Sequence, residues 1–220
     1  MNKTLAIIVA FMLSILMVES ALGQGVTKGL TAKGIKAGVN LAKLTGSNVK
    51  DAKMLLGIVG GAFVEYSVSP MFAIQPELLY SMEGMKQKDI VEEGITVTPK
   101  WTLSYLQIPV FLKVKPQASG NIKPTIFAGP FFGILMSAKA TASASLGGQS
   151  ADVSVDVKDF FESTNIGVAF GVGAACKLTK GEITFDARYA LGLSKIDKAE
   201  EGTTPNAKTA TFSFLVGYGF

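Results

Sequence analysis

Hydrophobic and polar residues alternate along most of the chain past Gly34, which is the pattern of β-strands and not of helices. The final segment shows this most clearly. Its apolar face carries Phe212, Phe214, Val216, Tyr218 and Phe220. The residues between them are mostly small or polar, so the pattern predicts a strand with one apolar face.

Seven further segments repeat this alternation and bring the number of predicted strands to eight. The eight segments are residues 34–44, 56–68, 71–83, 100–115, 123–137, 165–178, 182–194 and 211–220. Each has about ten residues or more, the length that a tilted strand needs to cross an apolar band of roughly 25 Å.

Short and long connections alternate strictly between these strands. The short ones are residues 69–70, 116–122 and 179–181, and the long, polar ones are residues 45–55, 84–99, 138–164 and 195–207. Outer-membrane barrels place short turns in the periplasm and long loops outside. The sequence therefore predicts an all-β fold for residues 34–220: an eight-stranded antiparallel up-and-down transmembrane β-barrel with short periplasmic turns and long extracellular loops.

The apolar face of each strand is predicted to contact outer-membrane lipid. In the fourth strand the alternation of apolar residues shifts by one position. The apolar residues are odd-numbered at first, at Trp101, Leu103 and Tyr105, and then even-numbered, at Ile108 and Val110. This predicts a bulge near Leu106.

A water-soluble, lipocalin-like barrel in the periplasm is the alternative fold, since it also has eight alternating strands. Its outer face would meet water and should carry many charges. The segment 165–178 instead places small residues such as Gly167, Ala169 and Gly171 opposite apolar ones. Small side chains suit a crowded barrel interior, so the membrane barrel is favoured.

The first residues have the pattern of a secretory signal peptide. Lys3 precedes an apolar stretch from Leu5 to Met17, and the small-residue sequence 21–23 precedes Gln24. The apolar stretch is shorter than the roughly 20 residues of a spanning helix. We expect residues 1–23 to be a signal peptide and residues 24–33 an N-terminal tail.

Composition excludes several function classes. Hydrophobic residues make up 48% of the chain and charged residues 17%, and Arg188 is the single arginine among mostly interspersed lysines. This is not a nucleic-acid-binding pattern. The chain has no histidine, which removes histidine-based nucleophilic, acid–base and metal sites. We expect no catalytic residues, no metal and no organic cofactor, although a carboxylate pair alone could still perform acid–base chemistry.

Several charged residues alternate with the lipid-facing apolar residues of their strands, so they are predicted to point into the barrel interior. These candidates are Lys36, Glu65, Glu77, Lys113, Glu182, Asp186 and Arg188. Charges inside a barrel must pair or be hydrated, because an isolated buried charge is costly. The set predicts an ionic network that fills the narrow lumen of an eight-stranded barrel. A polar path for small solutes or ions is the alternative.

The longest loop, residues 138–164, keeps its alternation around Gly147-Gly148, which is a hairpin signal. We expect strands five and six to extend above the membrane as a ribbon. Such a ribbon could bind an extracellular ligand or partner by strand addition. The alternative is a solvated loop with no partner.

Four stretches of sequence carry a family resemblance: residues 34–40, 75–81, 105–113 and 216–220. With them the mature chain resembles the porin-family outer-membrane β-barrel proteins, including PorT-like members, and the small barrels of the OmpA/OmpX type. The terminal Phe220, with Tyr218, also resembles the signal by which the barrel assembly machinery recognises its clients. This resemblance implies the bacterial outer membrane as location and leaves the activity open.

Three functions remain from different classes. The first is a structural or surface-interaction barrel that displays its loops, the second is a narrow pore for small solutes, and the third is a PorT-like accessory role with the secretion machinery. Size disfavours the pore, because open channels use about 16 to 18 strands.

Overall fold

The computed structural model describes residues 29–46, 49, 52–92, 95–116, 120–146, 149–198 and 206–220. The predicted signal peptide and residues 24–28 of the predicted tail lie outside these ranges, so both stay predictions. Residues 29–33, which the sequence assigned to the tail, are part of the first strand.

Ten strands make up the described part of the chain, together with one turn of 3-10 helix at Lys158–Phe160. They are β1 (Gly29–Thr45), β2 (Lys53–Ser67), β3 (Phe72–Lys86), β4 (Ile90–Glu92), β5 (Ile95–Val114), β6 (Ile122–Leu146), β7 (Gln149–Asp156), β8 (Thr164–Lys177), β9 (Glu182–Gly192) and β10 (Lys208–Gly219). Among the described residues, none forms a helix long and apolar enough to cross a membrane.

Eight of these strands close into an antiparallel ring in the part of the chain that the structure describes. The order is β5-β3-β2-β1-β10-β9-β8-β6, and pairing of β5 with β6 closes it. The first and last of the eight strands pair over twelve residues, from Gly34 opposite Gly219 to Thr45 opposite Lys208. The predicted up-and-down barrel is confirmed.

The barrel is apolar outside and polar inside, the reverse of a water-soluble protein. Ile35 is 63% exposed on the outer face, whereas its neighbour Lys36 is 4% exposed inside. Likewise, Phe214 is 52% exposed on the outer face, whereas its neighbour Ser213 is 6% exposed inside. A continuous apolar outer surface requires a lipid environment, so the lipocalin-like alternative is wrong.

The small residues of β8 make room for aromatic rings inside the barrel. A Cβ atom on Gly167 would lie 2.5 Å from the Phe131 ring, and one on Gly171 would lie 2.7 Å from the Phe127 ring. Both rings project from β6, which pairs with β8. Interior crowding thus explains these glycines, as expected from the sequence.

A register irregularity is present next to Leu106, between Ser104 and Tyr105 in the β5–β6 pairing, but the extra residue is not on β5 as predicted. The β3–β5 register passes through this region without a shift, and Leu103 and Tyr105 are fully buried inside the barrel. The irregularity lies on β6 instead, where Met136 is skipped between the pairs Ser104–Ser137 and Tyr105–Leu135. The sequence misled because Leu103 and Tyr105 are apolar residues that point inward.

Two short strands extend the ring on its extracellular side. β4 pairs with β5 through Ile90–Val97, and β7 pairs with β6 from Lys139–Asp156 to Leu146–Gln149. With the upper parts of β5 and β6 they form a four-stranded sheet, which we call the extracellular sheet. The predicted tip residues 147–148 lie outside the described residues, but the Leu146–Gln149 pair leaves two residues for the turn, as predicted.

Candidate functional site

Four charged side chains meet in the middle of the lumen and form a closed ring of ion pairs, which we call the central ring. Lys36 Nζ lies 2.7 Å from Glu77 Oε1 and 2.8 Å from Asp186 Oδ2. Arg188 lies 2.8 Å from both Glu77 Oε2 and Asp186 Oδ2. Each carboxylate therefore contacts both cations, and the four charges cancel.

Aromatic rings hold the cations of the central ring in place. The guanidinium of Arg188 lies 5.0 Å from the centroid of Phe111 and 5.5 Å from that of Phe127. The ammonium of Lys36 lies 4.6 Å from the centroid of Phe63. Such cation–π contacts add to the ion pairs where the site excludes water.

A second cluster lies nearer the periplasm and is centred on Glu65. This carboxylate accepts hydrogen bonds from Lys113 at 2.9 Å and from Lys115 at 2.8 Å. Gln75 joins the two clusters, because its amide oxygen accepts from Lys113 and its amide nitrogen donates to Glu77. Lys115 was not among the predicted lumen charges, although it is two residues from Lys113 and therefore on the same face of the predicted strand 100–115.

Glu83 is a buried carboxylate that the sequence analysis also missed. Its Oε1 accepts from Gln107 at 2.6 Å and from Ser81 at 3.1 Å, and its Oε2 has no hydrogen-bond partner in the described part of the chain. None of the ion pairs among the described residues includes it. Glu83 is six residues after Glu77 on β3, so the alternation of the strand places both side chains on the same, inward face and could have identified Glu83.

Glu182 lies apart from both clusters. It lines the periplasmic mouth of the lumen, where it stands opposite Lys177 in the β8–β9 register. Of the seven candidate lumen charges, the structure thus brings six into two linked clusters and leaves Glu182 at the opening.

The extracellular end of the lumen is closed by a cluster of apolar side chains, which we call the plug. Its buried members are Leu44, Leu103, Tyr105, Leu135, Ala138, Ile196 and Ala207. Between the plug and the central ring, the cavity next to Glu83 has a volume of only about 20 Å³. That is room for about one water molecule, so the lumen is filled at this level.

The extracellular sheet has two chemically different faces. One carries Val97, Ala140, Ala142, Val153 and Val155, which are paired across β5, β6 and β7. The other carries hydroxyl and charged side chains, among which Thr141 and Ser154 lie 2.8 Å apart through their hydroxyl oxygens. Within the described residues, β7 pairs with β6 alone, so its second edge is open.

The predicted assembly-signal residues lie on the lipid face at the periplasmic end. Phe220 is 62% exposed, and the Tyr218 hydroxyl donates to the Lys180 carbonyl at 2.8 Å. Recognition by the barrel assembly machinery stays a prediction.

The described residues contain no group of three or more Cys, Asp and Glu side chains arranged to hold a metal ion. The carboxylates of the lumen are instead occupied by lysine, arginine and amide partners. Apart from Glu83, whose Oε2 has no partner among the described residues, the buried charges of the lumen are paired with one another.

A closed antiparallel ring with a lipid-facing apolar surface and a polar interior defines a transmembrane β-barrel protein. A sequence model of the family described as "Outer membrane protein beta-barrel domain" matches residues 26–198. The chain belongs to this family and is a protein of the bacterial outer membrane. A comparison with curated proteins finds no match.

Several solved structures are similar to this chain. Neisserial surface protein A (NspA) has 17% identity and a TM-score of 0.47, with 87% of this chain and 99% of that chain covered. Ail, the attachment invasion locus protein of Yersinia pestis, has 15% identity and a TM-score of 0.39, with 88% and 100% covered. The outer membrane protease OmpT from Escherichia coli has 7% identity and a TM-score of 0.33, with 91% and 99% covered. Identities and TM-scores at this level transfer no function, and the PorT-like resemblance stays a prediction.

Proposed function

We propose that this barrel is a surface-interaction protein that binds an extended segment of a partner polypeptide along β7. The observation that carries the proposal is the open edge of this strand above the membrane. Val153 and Val155 on β7 are 66% and 59% exposed. In the described part of the chain no further strand pairs with β7.

An open strand edge presents unpaired N–H and C=O groups that another chain can pair with. β7 has eight residues, so it offers an edge of about 27 Å at roughly 3.4 Å per residue. In strand addition the main chain supplies affinity and the alternate side chains supply specificity. Here Val153 and Val155 supply an apolar face next to Ala140 and Ala142, while Asp152 and Asp156 lie on the opposite face.

The filled lumen supports a surface role over a pore for small solutes. The central ring places four mutually paired charges across the middle of the barrel. The plug lies above it with fully buried Leu103 and Tyr105. A conducting path would require both layers to open, whereas contact with a partner at β7 requires neither.

The test uses the full chain in lipid nanodiscs and a displayed library of extended peptides. We expect selected peptides to slow amide hydrogen exchange in residues 149–156, because their backbones pair with β7. Ser154→Pro should weaken their binding about tenfold or more, because the Ser154 N–H points away from β6 to the open edge and proline lacks this donor. Phe160→Ser is the control, because it removes an exposed apolar side chain away from the edge.

Equal binding of the selected peptides to wild type and Ser154→Pro would contradict the proposal. So would a library that yields binders without any protection of β7 amides. In either case the extracellular sheet would be a solvated extension of the barrel.

A further inference from the structure

The periplasmic end of the lumen opens into a cavity of about 510 Å³, which we call the basic vestibule. Small-molecule sites commonly have volumes of about 300–1,000 Å³. Among the described residues, its charged lining consists of Lys113, Lys115, Lys123 and Lys177 against Glu65 and Glu182. Four lysines against two glutamates leave an excess of two positive charges.

The lysines lie on one wall of the basic vestibule, because β5, β6 and β8 are neighbours in the ring. Lys123 stands opposite Ala175 on β8, and Lys177 is two residues further along that strand. Such diagonal neighbours are about 7–8 Å apart at Cα, within reach of long side chains. The ammonium of Lys123 lies close enough to those of Lys177 and Lys115 to be repelled by both.

Two further lysines are fixed at the floor of the basic vestibule with donor capacity to spare. Lys113 donates to Glu65 and Gln75, and Lys115 donates to Glu65 and Ser67. Each ammonium has three N–H donors, so each keeps one beyond these bonds among the described residues. Lys113 is almost fully buried, with a side-chain exposure of 7%, and its position is therefore set by its partners.

Thr125 adds a neutral polar group to the same lining. The residue is 5% exposed, and it lines the cavity. Its hydroxyl can donate to a ligand oxygen in the basic vestibule.

We propose that the basic vestibule binds a phosphate-type dianion from the periplasmic side. Two negative charges match the excess of two positive charges, and tetrahedral phosphate oxygens can accept from several lysines at once through charge-assisted hydrogen bonds. Bridging by an anion also relieves the repulsion between Lys123 and Lys177. The site lies at the opposite end of the barrel from β7 and is independent of the proposed surface role.

The probe is inorganic phosphate, titrated by calorimetry into the full chain in phosphatidylcholine nanodiscs at constant ionic strength set with chloride. We expect saturable binding. The double variant Lys123→Gln with Lys177→Gln should lose at least tenfold in affinity. The matched control is Lys195→Gln with Lys198→Gln, which removes two exposed lysines near the extracellular end and the same net charge.

A parallel arm tests an anionic lipid headgroup as the source of the phosphate. Phosphatidylglycerol nanodiscs that block soluble phosphate would support the site and identify the headgroup as its occupant. Unchanged phosphate affinity in those nanodiscs would support a soluble ligand. Equal affinity of the two double variants, or heat that never saturates with phosphate, would overturn the proposal. Heat-modifiable gel mobility of each variant verifies that the barrel has folded.

Discussion

Two conservative substitutions on the same strand should have opposite consequences for barrel stability. Glu77 and Glu83 both lie on β3 with side chains inside the lumen. Glu77 contacts Lys36 and Arg188, whereas Glu83 accepts only from neutral donors. Replacing each carboxylate by an amide keeps its size and changes its charge, so Glu77→Gln tests the ion pairs and Glu83→Gln is its matched control.

The expected difference follows from what each substitution leaves behind. Glu77→Gln leaves Lys36 and Arg188 sharing Asp186 alone, and breaking a buried ion pair in this way costs about 3–5 kcal/mol. Glu83→Gln removes no ion pair and keeps one oxygen for Gln107 and Ser81. Its new amide N–H groups lie near Thr211 and Thr209, whose hydroxyl oxygens can accept from them. We expect Glu83→Gln to change stability by less than about 1 kcal/mol in either direction.

The measurement is reversible urea unfolding of both variants and wild type in lipid vesicles, followed by circular dichroism and by gel mobility without boiling. Equal unfolding slopes allow the midpoints to be compared as free energies. A loss of about 3 kcal/mol or more for Glu77→Gln alone would support the central ring as a stabilising element. Equal losses in the two variants would refute it, because burial alone would then account for both.

Three further predictions concern the barrel itself, and two of them include a control substitution. Val168→Arg on the lipid face should destabilise the barrel by about 2–4 kcal/mol and reduce its membrane assembly. Ser154→Arg on β7 is the control and should be tolerated. The folded fraction of each variant is measured on unboiled gels. Gly167→Ala should cost about 1–3 kcal/mol in urea unfolding through overpacking, and Gly133→Ala, with 3.4 Å of space at its nearest contacts, should cost less. Tyr105→Phe removes a buried hydroxyl that has no partner among the described residues, so its urea midpoint should stay the same or rise, and a large fall would contradict this.

The strand order could be predicted from the sequence because two independent signals agree. Alternation located the strands, and the alternation of short and long links set their direction. The pattern failed at Leu103 and Tyr105, because an apolar residue in a barrel strand can face either lipid or a plug. Only the neighbours decide, and Ile196, which packs in the plug, comes from the loop after β9. No local window of sequence contains that contact.

The alternation along each strand predicted which charged residues point into the lumen, but it could not predict which of them form ion pairs with one another. Glu65 and Glu77 are on adjacent strands, yet they enter different clusters, with Gln75 between them. Pairing depends on the stagger of strands around the ring, which brings Lys36 on β1 against Asp186 on β9, with β10 between the two strands. The alternation along a strand predicts which face of the sheet a side chain lies on, whereas its interaction partner is determined by how the strands pair around the closed barrel.

The interior is layered along the barrel axis, and the layers separate the two ends. The plug is apolar, the central ring is neutral through pairing, and the charge around Glu65 and the basic vestibule is positive. A neutral ring in the middle is what a narrow lumen permits, since unpaired charge there could not be hydrated. The excess of positive charge lies at the wet periplasmic mouth, and the exposed apolar strand edge lies in the extracellular sheet. With a filled lumen between them, the two proposed binding surfaces lie on opposite sides of the membrane.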